Sequence, residues 1–207
     1  MRTDRLIYAL LWLTLLGYAL LGSPPPAPDA LREVTALALA DTTRVDPIAT
    51  AVFNLLGVLP TAFLAILLYD TGRPGPWPFA LGAYVLGGII LLPYLMLRDT
   101  RHPLRTEPGR FVRAVGSRTA GWLLVSATSA LVAWGALTGR PADFAEQLAG
   151  SKLIAVMSAD LVALTVALHF VAATDRRRRG LPATPSWQHI PLFGPLLYLA
   201  FRPHPSR

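Results

Sequence analysis

The 207-residue chain has no cysteine, which excludes a disulfide scaffold and any C-x-x-C site. It has little charge, 15% against 53% hydrophobic residues, and its mean hydropathy of +0.46 excludes a disordered chain. It lacks the nucleophile motif G-x-S-x-G, the GxGxxG and Walker sequences, and H-x-x-x-H. No residue is therefore assigned a catalytic role, and no cofactor is implied. Apolar and polar residues do not alternate over ten-residue stretches, so a transmembrane barrel is excluded as well.

What the chain does have is six apolar blocks: Leu6–Gly22, Ile48–Tyr69, Phe79–Leu97, Thr119–Thr138, Leu153–Ala173 and Trp187–Phe201. About 20 residues of helix cross a hydrocarbon layer of about 30 Å, so each block is a candidate span. The expected fold is an all-α polytopic bundle of about six transmembrane helices in one integral membrane domain, residues 1–207. Prolines and glycines cluster between blocks, as in Ser23-Pro24-Pro25-Pro26 and Gly72-Arg73-Pro74-Gly75-Pro76, where they stop helices. The first block also has the charged start and apolar run of a secretory signal. Its 17 residues and the missing small-x-small cleavage site favour an uncleaved helix.

Six crossings put seven basic residues on the side of the termini and twelve on the other, including the loop 99–118 and the run Arg176–Arg179. Lys and Arg are retained in the cytoplasm, so this count predicts non-cytoplasmic termini. The basic loop residues Arg101, Arg105, Arg110, Arg113, Arg176, Arg177, Arg178 and Arg179 are expected to meet anionic lipid headgroups. Nucleic acid is not an expected partner, because no stacking aromatics accompany the arginines.

The second and fifth blocks open alike, Ala51-Val52-Phe53-Asn54 against Ala155-Val156-Met157-Ser158, and both end in an acid followed by arginine. The third and sixth close alike, Tyr94-Leu95-Met96-Leu97-Arg98 against Tyr198-Leu199-Ala200-Phe201-Arg202. These matches fit two readings equally. One is a 3+3 inverted repeat, with halves 1–98 and 119–202 joined by the loop 99–118; the other is the shared composition of membrane helices.

Asp160 lies near the middle of the fifth block, where an acid costs about 2.5–3.5 kcal/mol on insertion, so its carboxyl should face protein or water. An inverted repeat would bring Asn54 and Ser158 close to it, which makes Asp160, Asn54 and Ser158 the candidate intramembrane site. A functional carboxylate and a structural interhelical bond are both open at this point. His169 and His189 are weak candidates for metal or haem ligation, since no ligand spacing supports them.

Asp46-Pro47-Ile48 through Phe53-Asn54-Leu55-Leu56-Gly57, Trp77-Pro78-Phe79, Leu92-Pro93-Tyr94-Leu95, Met157-Ser158-Ala159-Asp160 and Pro191-Leu192-Phe193-Gly194-Pro195-Leu196 carry a further signal. Together they resemble an uncharacterised family of multi-pass membrane proteins found in cyanobacteria and plastids. The resemblance implies an energy-transducing membrane as home, a thylakoid-type or cell inner membrane, and no assigned activity. The expected function is a non-enzymatic accessory or assembly factor bound to other membrane subunits. A small carrier of a cation, proton or small solute using Asp160 and Asn54 is the alternative, and a membrane enzyme acting on lipid or isoprenoid the third.

Overall fold

A computed structural model describes residues 2–26, 29–182 and 184–203. These residues are helical, with no strand among them. α1 (Arg2–Gly17) runs on through a π-helical turn, Tyr18–Gly22, and is followed by the short α2 (Ala30–Ala38) and by α3 (Pro47–Leu67). Then come α4 (Trp77–Leu86), α5 (Gly88–Leu97), α6 (Arg110–Val115) and α7 (Arg118–Thr138). The last are α8 (Pro141–Gly150), α9 (Lys152–Arg178), a 3₁₀ turn at Ser186–His189 and α10 (Phe193–Phe201). Four stretches are long and apolar enough to cross a membrane: Thr3–Gly22, Pro47–Leu67, Arg118–Thr138 and Lys152–Arg178.

Capping side chains set where the long helices begin. Asp46 accepts from the Ile48 N–H at 2.8 Å, with Pro47 in the first turn, Ser117 accepts from Ala120 and Ser151 from Ile154, each at 3.1 Å. Contacts between helix ends fix their directions. The starts of α3 and α9 share a cluster containing Ala49, Ile154 and Met157, and their far ends meet where Arg178 bonds Asp70. These two helices therefore run parallel. α1 runs against α9, with Asp4 3.4 Å from Arg177, and α7 runs against α3, its start at Ala200 and its Gly135 against Ala51. The inverted relation between halves is thus corrected, because the matched helices α3 and α9 point the same way.

The block Phe79–Leu97, expected as one span, folds back on itself. Gly87 breaks it with φ +53°, and residues on either side of that break meet: Phe79 stacks on Tyr94 at 4.9 Å, and Gly82 faces Ile90. Each half has 10 residues, about 15 Å of helix, half a hydrocarbon layer. The final block behaves likewise. It reverses near Leu192, at φ +62°, with Trp187 returning against Phe201 at 6.3 Å and Gly194 against the Gln188 carbonyl. Pro195 sits in the first turn of α10, where a missing N–H is tolerated, whereas Pro93 lies inside α5.

Charge is divided sharply between the two ends of the bundle. One end holds Arg2, Arg5, Arg73, Arg98, Arg101, Arg105, Arg110, Arg113, Arg118, Arg176, Arg177, Arg178, Arg179 and Arg202; the other holds Arg32, Arg44, Arg140 and Lys152. Arg207 lies outside the described residues.

Two buried carboxylates tie the arginine-rich end together. Asp70, after α3, is held by Arg98 at 3.4 Å and by Arg178, which also donates to the His102 carbonyl at 2.7 Å. Asp175, late in α9, accepts from Tyr198 at 2.7 Å, Arg179 at 2.8 Å and Arg202 at 3.1 Å. Arg202 reaches further, to the carbonyls of Ala65 and Gly116, so one guanidinium joins α3, α6, α9 and α10. Arg179 and Arg202 also lie 5.0 and 5.2 Å from the Tyr69 ring centre. Removing one partner of such a pair leaves a buried charge without compensation. Asp175→Asn is expected to cost about 3–5 kcal/mol. Asp143→Asn, which breaks the exposed pair with Arg140, is expected to cost under about 1 kcal/mol. Thermal unfolding of both variants in mild detergent checks the contrast.

Candidate functional site

The reversal at Gly87 leaves the first N–H groups of α5 without intrahelical partners in the interior of the bundle. Asp160 answers this from α9. Its Oδ1 accepts from the Gly88 N–H at 2.8 Å, and its side chain lies so close over the turn that glycine is required there. A Cβ on Gly87 would sit 1.7 Å from Oδ2, and one on Gly88 would sit 2.6 Å from Oδ1. α1 braces the same turn, with the Trp12 indole donating to the Ile89 carbonyl at 3.0 Å. A carboxylate at a helix N-terminus is also favoured by the helix dipole, which concentrates partial positive charge on those N–H groups.

Asp160 is 8% exposed, and that exposure opens into a cavity of about 390 Å³. Asn54, Gly57, Gly87, Tyr84 and Met157 line it, among mainly aliphatic neighbours from α1, α3, α4 and α9. None of the ion pairs among the described residues includes Asp160. The site is therefore an unpaired carboxylate, fixed by one backbone N–H, facing a largely apolar chamber. Such a group can bind a proton, a small cation or a cationic group on a solute.

Asn54 shares the cavity with Asp160 but spends one amide N–H on the Thr50 carbonyl at 2.9 Å, one turn back on its own helix. Its carbonyl oxygen is the group it can offer a ligand. Ser158 does not join them. Two residues along a helix is a rotation of about 200°, so Ser158 points away from Asp160, and its hydroxyl is buried without a partner. Sequence reasoning missed Gly87, Gly88, Trp12 and Tyr84. The Gly-Gly pair in mid-block was the available signal, since adjacent glycines interrupt a helix.

The histidines do not form a ligand pair. His169 has its two ring nitrogens 2.8 Å from the Thr165 carbonyl and 3.3 Å from the Ile190 carbonyl, and His189 is exposed on the 3₁₀ turn. No group of three metal-ligating side chains occurs among the described residues. The basic loop residues divide into two groups. Arg101, Arg105, Arg110, Arg113 and Arg177 are exposed, whereas Arg178 and Arg179 are committed to Asp70 and Asp175, and Arg176 donates to the Pro182 carbonyl at 2.7 Å. Within that loop the Arg101 N–H, 2.9 Å away, holds the Asp99 carboxyl below its ordinary value.

Comparison with family models, curated proteins and solved structures finds no match to this chain.

The contact between Asp160 and the turn can be tested as a coupling. Gly88→Ala is expected to cost about 2–3 kcal/mol in the native background and under about 1 kcal/mol with Asp160→Ala, because the second change removes the obstructing carboxylate. Equal costs in both backgrounds, measured by thermal unfolding, would remove Asp160 as the cap of the turn.

Proposed function

We infer that the protein is a small membrane carrier for a proton or small cation, with Asp160 as the binding group and Asn54 as an accessory oxygen ligand. The observation that carries this reading is the unpaired carboxylate at the tip of a broken helix, open to a cavity. Half-helices meeting inside the membrane, with an acid at the break, are a recurring way to build an ion site from exposed helix ends. In proteoliposomes under an imposed potential, entry of protons, Na⁺ or K⁺ is expected above the level of empty vesicles. Asp160→Asn is expected to lower it roughly tenfold or more, and Asp143→Asn to leave it unchanged. Absence of flux for all three ions, or flux indifferent to Asp160→Asn, overturns the carrier. Stable co-purification with another membrane subunit would favour the accessory-factor function instead.

The topology that goes with this reading has four crossings, α1, α3, α7 and α9, and two re-entrant hairpins. Both hairpins enter from the arginine-rich end and turn back at Gly87 and Leu192. Arginine retention then places that end, with the start of α1 and the end of α10, on the cytoplasmic side. The matched features support a repeat of two crossings plus one hairpin. Gly87 and Leu192 lie 105 positions apart, and the pairs Asp70–Arg98 and Asp175–Arg202 correspond at nearly the same spacing. Two crossings are an even number, so such copies share one orientation. The chain has no native cysteine, which makes single-cysteine labelling clean. Gly75→Cys and Thr106→Cys are expected to react with an impermeant maleimide from the same, cytoplasmic, side. Six spans would put them on opposite sides.

A further inference from the structure

At the arginine-rich end, where α1, α5 and α9 converge, there is a second cavity of about 180 Å³, separate from the Asp160 chamber. Arg5, Arg98, Arg177 and Arg178 line it, against the single carboxylate of Asp4. Their hydrogen bonds leave much donor capacity unspent. Arg178 is engaged by Asp70 and the His102 carbonyl, but Arg98 gives Asp70 one bond, and Arg5 gives one long bond, 3.5 Å, to the Arg98 carbonyl. Arg177 uses one nitrogen for both Asp4 and Thr174. Each guanidinium carries five N–H donors, so most of those on Arg5, Arg98 and Arg177 are free.

The Tyr8 hydroxyl is the second observation. Tyr8 is 2% exposed and lines this cavity beside the Arg98 guanidinium, its O–H has no acceptor, and its ring is held edge-on to Phe170 at 6.5 Å. A buried O–H without an acceptor costs about 1–3 kcal/mol. Excess guanidinium charge and an orphaned hydroxyl donor in one cavity both require an acceptor-rich anion. We propose that this cavity binds a phosphate-type oxyanion, presented by the headgroup of an acidic phospholipid. Arg5, Arg98 and Arg177 supply the charge-assisted donors and Tyr8 a neutral one. The depth fits a headgroup, because the residues sit at the start of α1 and the ends of α5 and α9, at the edge of the hydrocarbon layer. Three helices contribute, so the bound anion also clasps them together. The carrier reading is not needed for this site.

Native mass spectrometry of the detergent-purified protein tests it, with phosphatidylglycerol, phosphatidylcholine and inorganic phosphate as probes. Phosphatidylglycerol is expected to stay bound and raise the melting temperature, whereas phosphatidylcholine does neither. Arg5→Gln with Arg177→Gln should weaken retention roughly tenfold or more, and Tyr8→Phe, which keeps the ring packing, roughly threefold. Exchange of the exposed loop residues Arg105→Gln and Arg113→Gln should leave retention unchanged. Binding of inorganic phosphate alone with the same residue dependence keeps the oxyanion site and replaces the lipid by a soluble ion as its source. Equal retention of both lipids, or a loss that follows the loop arginines instead of Tyr8, overturns the proposal.

Discussion

A polypeptide that reverses direction in an apolar surrounding must find partners for the backbone groups the reversal sets free, because no solvent is there to supply them. In this protein that requirement falls on Asp160, whose carboxylate reaches from α9 to the exposed start of α5. The rest of the interior is arranged around that contact. Glycine occupies both positions of the turn because the carboxylate leaves no room for a Cβ, and α1 adds its Trp12 bond one residue further on. A structural role and a ligand-binding role are compatible here. The oxygen that caps the helix fixes the geometry, and the same carboxylate lines the chamber beside it.

The opposite requirement governs the arginine-rich end. There the hairpins are anchored by buried ionic contacts, Asp70 with Arg98 and Arg178, and Asp175 with Arg179 and Arg202. Isolated charges at such depth would be costly, and each is offset by an opposite charge, long-range for Asp70 with Arg98 and Arg178 and for Asp175 with Arg202, and four residues back for Arg179. The hairpins are consequently fixed at their feet by ion pairs and at their tips by ordinary packing and single hydrogen bonds. The Asp160 chamber and the Tyr8 cavity both lie beside the first of these hairpins.

How far the sequence discloses this depends on the kind of information. Apolar block length identified the four long helices to within a few residues, since burial in hydrocarbon constrains composition over some 20 positions. It could not distinguish a span from a hairpin of two half-helices, because both are uniformly apolar and of similar total length. The Phe79–Leu97 block therefore read as one continuous helix, although it folds as two. The pair Gly87-Gly88 held the missing information locally. Asp160 was legible, as a lone acid in an apolar block is conspicuous, and helical phase alone separates it from Ser158. The acids and arginines at block ends, Asp70, Arg98, Asp175 and Arg202, were visible as matched positions. That they pair in two buried clusters follows only from α3 and α9 lying side by side in the same direction.

The bond between Gly88 and Asp160 spans 72 positions of sequence. During synthesis the half-helices α4 and α5 emerge well before their cap exists, and their turn cannot settle in hydrocarbon with its N–H groups bare. In the four-crossing topology proposed above, the hairpin waits at the aqueous boundary until α7 and α9 have been threaded, and only then sinks into place. In that topology assembly is ordered from late to early: α9 licenses the docking of a segment translated before α7.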